Sequence, residues 1–171
     1  LEAVANDWLL PEVEGQSLNQ AFTEVAEFRS RFPGAYGAMA AVEMALLDLK
    51  GKRLGVPLST LLGAKVRDTI PIVSVLPAHD ADTTRQKASR AVADGYEHLK
   101  VKANGNVATD VERINAVLSE LPADGTLRVD ANTAWGTYPT AAKVFEKIAD
   151  PERIEYVEQP VDAEDLEGLA A

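Results

Sequence analysis

Four short segments with strand patterns, whose ends lie 26 to 28 residues apart, constrain the fold more than any other feature of this sequence. The segments end near residues 76, 102, 130 and 158, and a helical pattern follows each of them. A strand–helix–strand crossover repeats at roughly this length, about 30 residues, and makes its strands parallel. Four such units predict either part of a (β/α)₈ barrel or a doubly wound sheet.

The predicted elements favour the barrel. The strands are predicted at 70–76, 98–102, 127–130 and 154–158, and the helices at 82–94, 109–121, 137–148 and from residue 163 onward. A dinucleotide-binding doubly wound sheet is typically marked by Gly-x-Gly-x-x-Gly after a strand. The segment 103–106, Ala-Asn-Gly-Asn, does not match that pattern. We therefore interpret residues 67–171 as the first half of a (β/α) barrel.

Residues 1–66 show helical patterns only. Helices are predicted at 19–32, 36–52 and 59–62, and glycine or proline follows each of them. In the second helix, Met39, Val42, Leu46 and Leu49 form one apolar stripe. Both chain ends fall inside helical patterns without a stop signal, so we expect this sequence to be a piece of a longer chain.

Charge and composition exclude several classes of function. The net charge of −10 disfavours binding to nucleic acid or to anionic membranes. The sequence has no cysteine, which excludes disulfides and thiolate metal sites. It also lacks a signal-peptide pattern and any apolar run near the roughly 18 residues of a membrane span. We expect a cytoplasmic protein that acts on a small molecule.

Ionisable residues lie at the carboxyl ends of three predicted strands. Residues i and i+2 of a strand face the same side, so Lys100 and Lys102 share a face, as do Asp130 and Asn132. Glu158 ends the fourth strand. Each charge alone also fits a solvated surface, a helix cap or a surface ion pair. Together they favour one site, because barrel active sites lie at this end of the strands.

The residue types indicate metal-assisted proton abstraction. Two carboxylates on neighbouring strands repel each other unless a cation joins them, and hard oxygen ligands select Mg²⁺ or Mn²⁺. Two adjacent lysines lower each other's pKa, which would let one of them act as a base near neutral pH. A metal facing a lysine base suits removal of a proton next to a substrate carboxylate, through an enediolate.

The ordered set of motifs resembles the enolase superfamily, and most closely its muconate-lactonizing branch, the mandelate racemase/muconate lactonizing enzyme family. The matching strand segments are Leu-Lys-Val-Lys at 99–102, Val-Asp-Ala-Asn at 129–132 and Val-Glu-Gln-Pro at 157–160. Residues 41–52, 55–58 and 61–63 are similar to the helical end of that family's capping domain. The resemblance implies part of a (β/α)₇β TIM-like barrel, preceded at 1–66 by the helical part of an α+β capping domain.

The resemblance also implies a role for each matching residue. Lys102 would be the base at the α-carbon, and Lys100 would tune its pKa and contact the substrate carboxylate. Asp130 and Glu158 would be two ligands of Mg²⁺ or Mn²⁺, and Asn132 would orient the site from behind them. The family's third acidic ligand and its second lysine, on the fifth and sixth strands, would lie beyond residue 171. We therefore expect the 171-residue chain alone to be inactive and unstable.

The expected activity is that of an isomerase or lyase acting on a small carboxylate. Racemase or epimerase, o-succinylbenzoate synthase and cycloisomerase chemistry all remain open, as do a Schiff-base lysine aldolase and a non-catalytic barrel. We also expect a homo-oligomer. His98 is interpreted as a packed, hydrogen-bonded residue, His79 as a loop residue, and Trp135 as either a pocket wall or a packing residue.

Overall fold

A computed structural model describes all of residues 1–171 and separates into two compact units, Leu1–Thr69 and Ile70–Ala171. Each unit contains its own cluster of buried apolar side chains. The division lies close to residues 66 and 67, where the sequence pattern changes. None of the helices combines the length and apolar composition that a membrane crossing requires.

The first unit is entirely helical. It contains α1 (Glu2–Val4), a π-helical segment (Ala5–Leu9), α2 (Leu10–Val13), α3 (Leu18–Arg31), α4 (Tyr36–Leu54) and α5 (Leu58–Leu61). Ser17 starts α3 with a capping box, in which its side chain and that of Gln20 each accept a hydrogen bond from the other's backbone N–H. The left-handed residue Gly55, with a φ of 69°, ends α4.

The apolar stripe predicted along α4 is correct except at its last member. Met39, Val42 and Leu46 are buried in the cluster of the first unit. Leu49 is 40% exposed. The prediction was wrong for Leu49, which lies outside that cluster.

The second unit alternates strands and helices. Its strands are β1 (Ser74–Leu76), β2 (His98–Lys102), β3 (Thr126–Asp130) and β4 (Ile154–Glu158); its helices are α6 (Ala81–Ala93), α7 (Val107–Leu118), α8 (Tyr138–Phe145) and α9 (Leu166–Ala170), with a 3₁₀ turn at Pro151–Arg153. The strands form one parallel sheet in the order β1-β2-β3-β4. A doubly wound sheet would reverse its strand order at a switch point, so this sequential order favours the barrel.

Alternate residues of β2 and β3 form the core on one side of the sheet. Leu99, Val101, Leu127 and Val129 are fully buried. They belong to the same cluster as the helical residues Ala88 of α6, Ile114 of α7 and Val144 of α8. The residues between them, including both lysines of β2, face the other side of the sheet.

The first strand is shorter than predicted. The sequence predicts strand over 70–76, but only Ser74–Leu76 pairs with β2. Ile70 and Ile72 are exposed, and Pro71 has no N–H to donate to a neighbour. β-branched residues favour an extended backbone, but a segment becomes a strand only where a neighbouring strand pairs with it.

Candidate active site

The parallel register brings the charged strand ends side by side. Lys102 pairs with Asp130 across β2 and β3, and Asp130 pairs with Glu158 across β3 and β4. Lys100 lies two residues before Lys102 and therefore on the same face. Four charges from three separate segments thus meet at the carboxyl ends of neighbouring strands.

Asp130 lies at the centre of this group. Its side chain is only 1% exposed, and its Oδ2 accepts hydrogen bonds from Lys102 Nζ at 2.5 Å and Lys100 Nζ at 2.9 Å. Its Oδ1 accepts a third from the backbone N–H of Asn132 at 3.1 Å. Such a buried carboxylate requires these donors, because an uncompensated buried charge is strongly destabilising.

Glu158 joins the group through Lys100. Its Oε2 accepts a hydrogen bond from Lys100 Nζ at 2.5 Å, so one ammonium group contacts both carboxylates. Asp130 and Glu158 can therefore converge on a single cation, and hard oxygen donors of this kind suit Mg²⁺. Residues 1–171 contain no group of three or more acidic or histidine side chains able to hold a metal. These two residues thus fit as part of a coordination shell.

Residues in the turns after β3 and β4 form hydrogen bonds with the charged group and with each other. Asn132 Oδ1 accepts a hydrogen bond from Lys102 Nζ at 3.0 Å, and its Nδ2 donates to Gln159 Oε1 at 3.3 Å. Asn132, Thr133 and Gln159 have φ values of 45°, 64° and 48°, in the left-handed region. Non-glycine residues adopt this conformation rarely, and they concentrate at functional sites. Sequence reasoning missed Gln159, although it directly follows Glu158.

The pKa of Lys100 shifts in the direction opposite to the predicted one, because of the two carboxylates. The sequence predicts that the lysine pair lowers it. Instead, hydrogen bonds to Glu158 and Asp130 raise the pKa of Lys100, and burial opposes them. The prediction was wrong because opposite charges touch this ammonium directly. Burial raises the pKa of Asp130, but hydrogen bonds from Lys102 and Lys100 outweigh it and hold that pKa below its ordinary value.

Two family models match the chain. Residues 2–63 match the model described as the mandelate racemase/muconate lactonizing enzyme N-terminal domain. Residues 83–171, more than half of the chain, match the model described as enolase C-terminal domain-like. The chain belongs to the mandelate racemase/muconate lactonizing enzyme family of the enolase superfamily.

Similar members of this family are isomerases. The N-succinyl-L-Arg/Lys racemase of Bacillus cereus is 31% identical over 137 residues, which cover 80% of this chain and 37% of the racemase. Muconate cycloisomerase 1-2 of Acinetobacter lwoffii is 33% identical over 164 residues, which cover 95% of this chain and 42% of the cycloisomerase. The chain thus spans less than half the length of these relatives.

Solved structures of the family confirm the fold. The crystal structure of the B. cereus N-succinyl Arg/Lys racemase matches with a TM-score of 0.79 at 28% identity, covering 98% of this chain and 45% of that chain. The dipeptide epimerase of Enterococcus faecalis, complexed with Mg and the dipeptide L-Leu-L-Tyr, matches with a TM-score of 0.73 at 34% identity, covering 89% and 41%. This member of the mandelate racemase/muconate lactonizing enzyme family therefore forms part of a TIM-like barrel, as predicted.

Three further residues near the site of this family member form one buried network. Asp110, Arg113 and Trp135 are almost completely buried, and Trp135 Nε1 donates to Asp110 Oδ2 at 3.0 Å. Trp135 is therefore a packing residue with a hydrogen-bonded indole. The sequence signal for the other two is opposite charges three residues apart on a predicted helix, a pattern that is usually exposed.

Both histidines occupy the settings expected from the sequence. His98 Nδ1 lies 2.9 Å from Thr126 Oγ1, in a partly buried contact between β2 and β3. His79 lies in the loop after β1 with its side chain exposed. Neither imidazole takes part in the lysine–carboxylate group.

Proposed function

We propose that the protein carrying this chain is a metal-dependent isomerase or lyase that removes the proton α to the carboxylate of a small substrate. The product of that step is an enediolate, from which racemisation, epimerisation, dehydration or cycloisomerisation can follow. The observation that supports this most is the convergence of Lys100 and Lys102 on Asp130 and Glu158.

Lys102 and Lys100 would have different roles in the reaction. The Lys102 side chain is 34% exposed against 17% for Lys100, so Lys102 is the more accessible to a substrate. As a neutral amine, Lys102 would take the proton from the α-carbon and become an ammonium group. Asn132 would hold that ammonium in place. Lys100 would keep its positive charge and bind the substrate carboxylate.

The carboxylates would hold the cation. When bound by Asp130 and Glu158, Mg²⁺ supplies positive charge that stabilises the enediolate oxygen. The backbone N–H of Asn132 fixes one oxygen of Asp130 and leaves the other in contact with the two lysines. Mn²⁺ has the same preference for oxygen ligands, and its replacement of Mg²⁺ stays a prediction.

Exchange of the substrate α-proton with D₂O tests this proposal. The full-length protein would be incubated with N-succinyl-L-arginine or L-Leu-L-Tyr and followed by proton NMR, while muconate would be assayed for cycloisomerisation. We expect Mg²⁺-dependent turnover of at least one compound, and Lys102→Met should lower its rate by at least about 10²-fold. Lys143→Met, which removes an exposed lysine of the same unit, is the matched control.

Two outcomes would count against the proposal. Turnover that persists after exhaustive chelation would exclude the metal, and full activity of Lys102→Met would exclude this base. Borohydride trapping of a lysine–substrate adduct would instead indicate the Schiff-base aldolase.

A further inference from the structure

A buried ion pair on α7 lies beside the site. Arg113 Nη1 contacts Asp110 Oδ1 at 2.5 Å, and the two side chains are 3% and 0% exposed. Removing both charges from water is costly, so such a pair is weak evidence for stability alone. The other hydrogen bonds of Asp110 and Arg113 reach the segments that follow the neighbouring strands.

Arg113 links the loop after β1 to the end of β2. Its Nε donates to the backbone carbonyl of His79 at 2.6 Å, and its Nη1 donates to the carbonyl of Lys102 at 3.4 Å. One guanidinium group therefore holds the main chain of the proposed base. A rigid planar fork of donors suits this task, since it can satisfy several acceptors in fixed directions.

Asp110 links the segment after β2 to the segment after β3. It accepts hydrogen bonds from the backbone N–H groups of Asn104 and Gly105, each at 3.0 Å, and from Trp135 Nε1 at 3.0 Å. A carboxylate offers about four acceptor positions, and here the three N–H donors and Arg113 fill them.

Gly105 shows how closely these two segments approach each other. Its φ is 93°, and a Cβ atom there would lie 2.7 Å from the carbonyl oxygen of Ala134. The main chain just after β2 therefore rests directly against the main chain after β3. Ala103 N–H also donates to the carbonyl of Asp130 at 2.9 Å.

We propose that Asp110 and Arg113 are positioning residues for the proton-abstraction step. The pair ties three successive strand-to-helix connections together and fixes the backbone of Lys102, from which the side chain reaches Asp130 and Asn132. The inference rests on the proposed function, because it concerns the placement of the proposed base. A small displacement of that amine lowers the rate, since the reacting atoms must approach within about 3–3.5 Å.

Arg153 offers a matched control at the opposite end of the sheet. It precedes β4, and it donates hydrogen bonds to the backbone carbonyls of Leu118, Pro122 and Gly125. Arg153→Met therefore removes a comparable arginine-to-backbone clamp far from the strand ends that carry Lys102. Asp110→Asn is a companion variant that keeps the shape of the side chain but turns an NH₂ group, which cannot accept, toward some of these donors.

The experiment measures kcat and KM for α-proton exchange, thermal stability, and amide hydrogen exchange in the full-length protein. We expect Arg113→Met to lower kcat by about 10- to 100-fold with little change in KM. Asp110→Asn should speed amide exchange at Asn104 and Gly105. Arg153→Met should lower Tm less than Arg113→Met does, because it leaves no buried carboxylate unpaired, and it should keep kcat within about twofold of the parent.

Two results would overturn the positioning role. One is an equal kcat in Arg113→Met and Arg153→Met. The other is amide exchange over residues 102–105 that stays unchanged in both Asp110→Asn and Arg113→Met. Amide exchange does not depend on turnover, so a parent protein without activity would refute the proposed function while this second measurement still decided whether the ion pair orders the strand ends.

Discussion

Asp130 accepts hydrogen bonds from both lysines through one oxygen and from the backbone of Asn132 through the other. Its burial would favour the neutral acid, but the two ammonium groups hold its pKa below the ordinary value of 3.8. A lowered folded-state pKa means that the charged carboxylate stabilises the fold fully above about pH 3.8. That contribution is lost as the pH falls from there through the lower folded value.

Asp130→Asn should therefore destabilise the protein in a pH-dependent way. In Mg²⁺-free buffer at pH 7, we expect the free energy of unfolding to fall by about 1–3 kcal/mol, because two ammonium groups lose their charged partner. The difference from the parent should shrink as the pH drops below about 3.8. Denaturant unfolding between pH 3 and 7 measures it, with exposed Asp124→Asn as control. A difference that stays constant over this range would contradict the assigned pKa direction.

Some of the site residues could be predicted from the sequence, and others could not. The i, i+2 rule places Lys100 and Lys102 on one face, and the structure does bring them to Asp130 and Glu158. The rule does not show that the carboxylates touch Lys100. The sequence therefore predicted a lowered pKa for Lys100, whereas contact with the carboxylates raises it. Arg113 was missed because its partners are mostly backbone carbonyls, which no side-chain pattern records.

Among the elements, β2 and β4 have the predicted bounds, 98–102 and 154–158. Each of these segments follows a chain-breaking residue, Gly95 or Pro151, which limits where the strand can begin. Only the last three of the seven residues predicted for β1 form a strand. Pairing with β2 decides where β1 begins, and that contact is not encoded in the local run of β-branched residues.

Val129 of β3 is fully buried, so shortening its side chain should destabilise the second unit. Val129→Ala should lower the free energy of unfolding by about 2 kcal/mol, since it removes roughly two buried methylene equivalents and leaves a cavity. Val66 is 89% exposed, so Val66→Ala should change that free energy by less than about 0.5 kcal/mol. Urea denaturation of both variants measures the contrast. Equal effects would show that the second unit does not pack on Val129.

At the scale of the whole molecule, the 171-residue chain contains only the two proposed metal ligands, Asp130 and Glu158, and an open four-stranded sheet. Large apolar side chains of the second unit are exposed, among them Tyr138, Leu166 and Leu169. We expect this polypeptide alone to lack α-proton exchange activity and to bind a hydrophobic dye more strongly than the full-length protein does. Dye fluorescence and the exchange assay check both, and exchange at the full-length rate would contradict the expectation.

Assembly and cellular location stay predictions. The sequence leads us to expect a cytoplasmic homo-oligomer, and neither the fold nor the similarity to relatives tests it. Light scattering of the full-length protein measures its mass directly. A monomer at micromolar concentration would contradict the expected assembly.

The most direct test is to locate a bound divalent ion by anomalous diffraction from crystals of the full-length protein soaked in Mn²⁺. We expect a peak about 2.0–2.2 Å from carboxylate oxygens of both Asp130 and Glu158, with the amines of Lys100 and Lys102 displaced from those oxygens. A saturating soak that leaves both lysines bonded to the carboxylates, with the ion elsewhere or absent, would contradict the shared metal site.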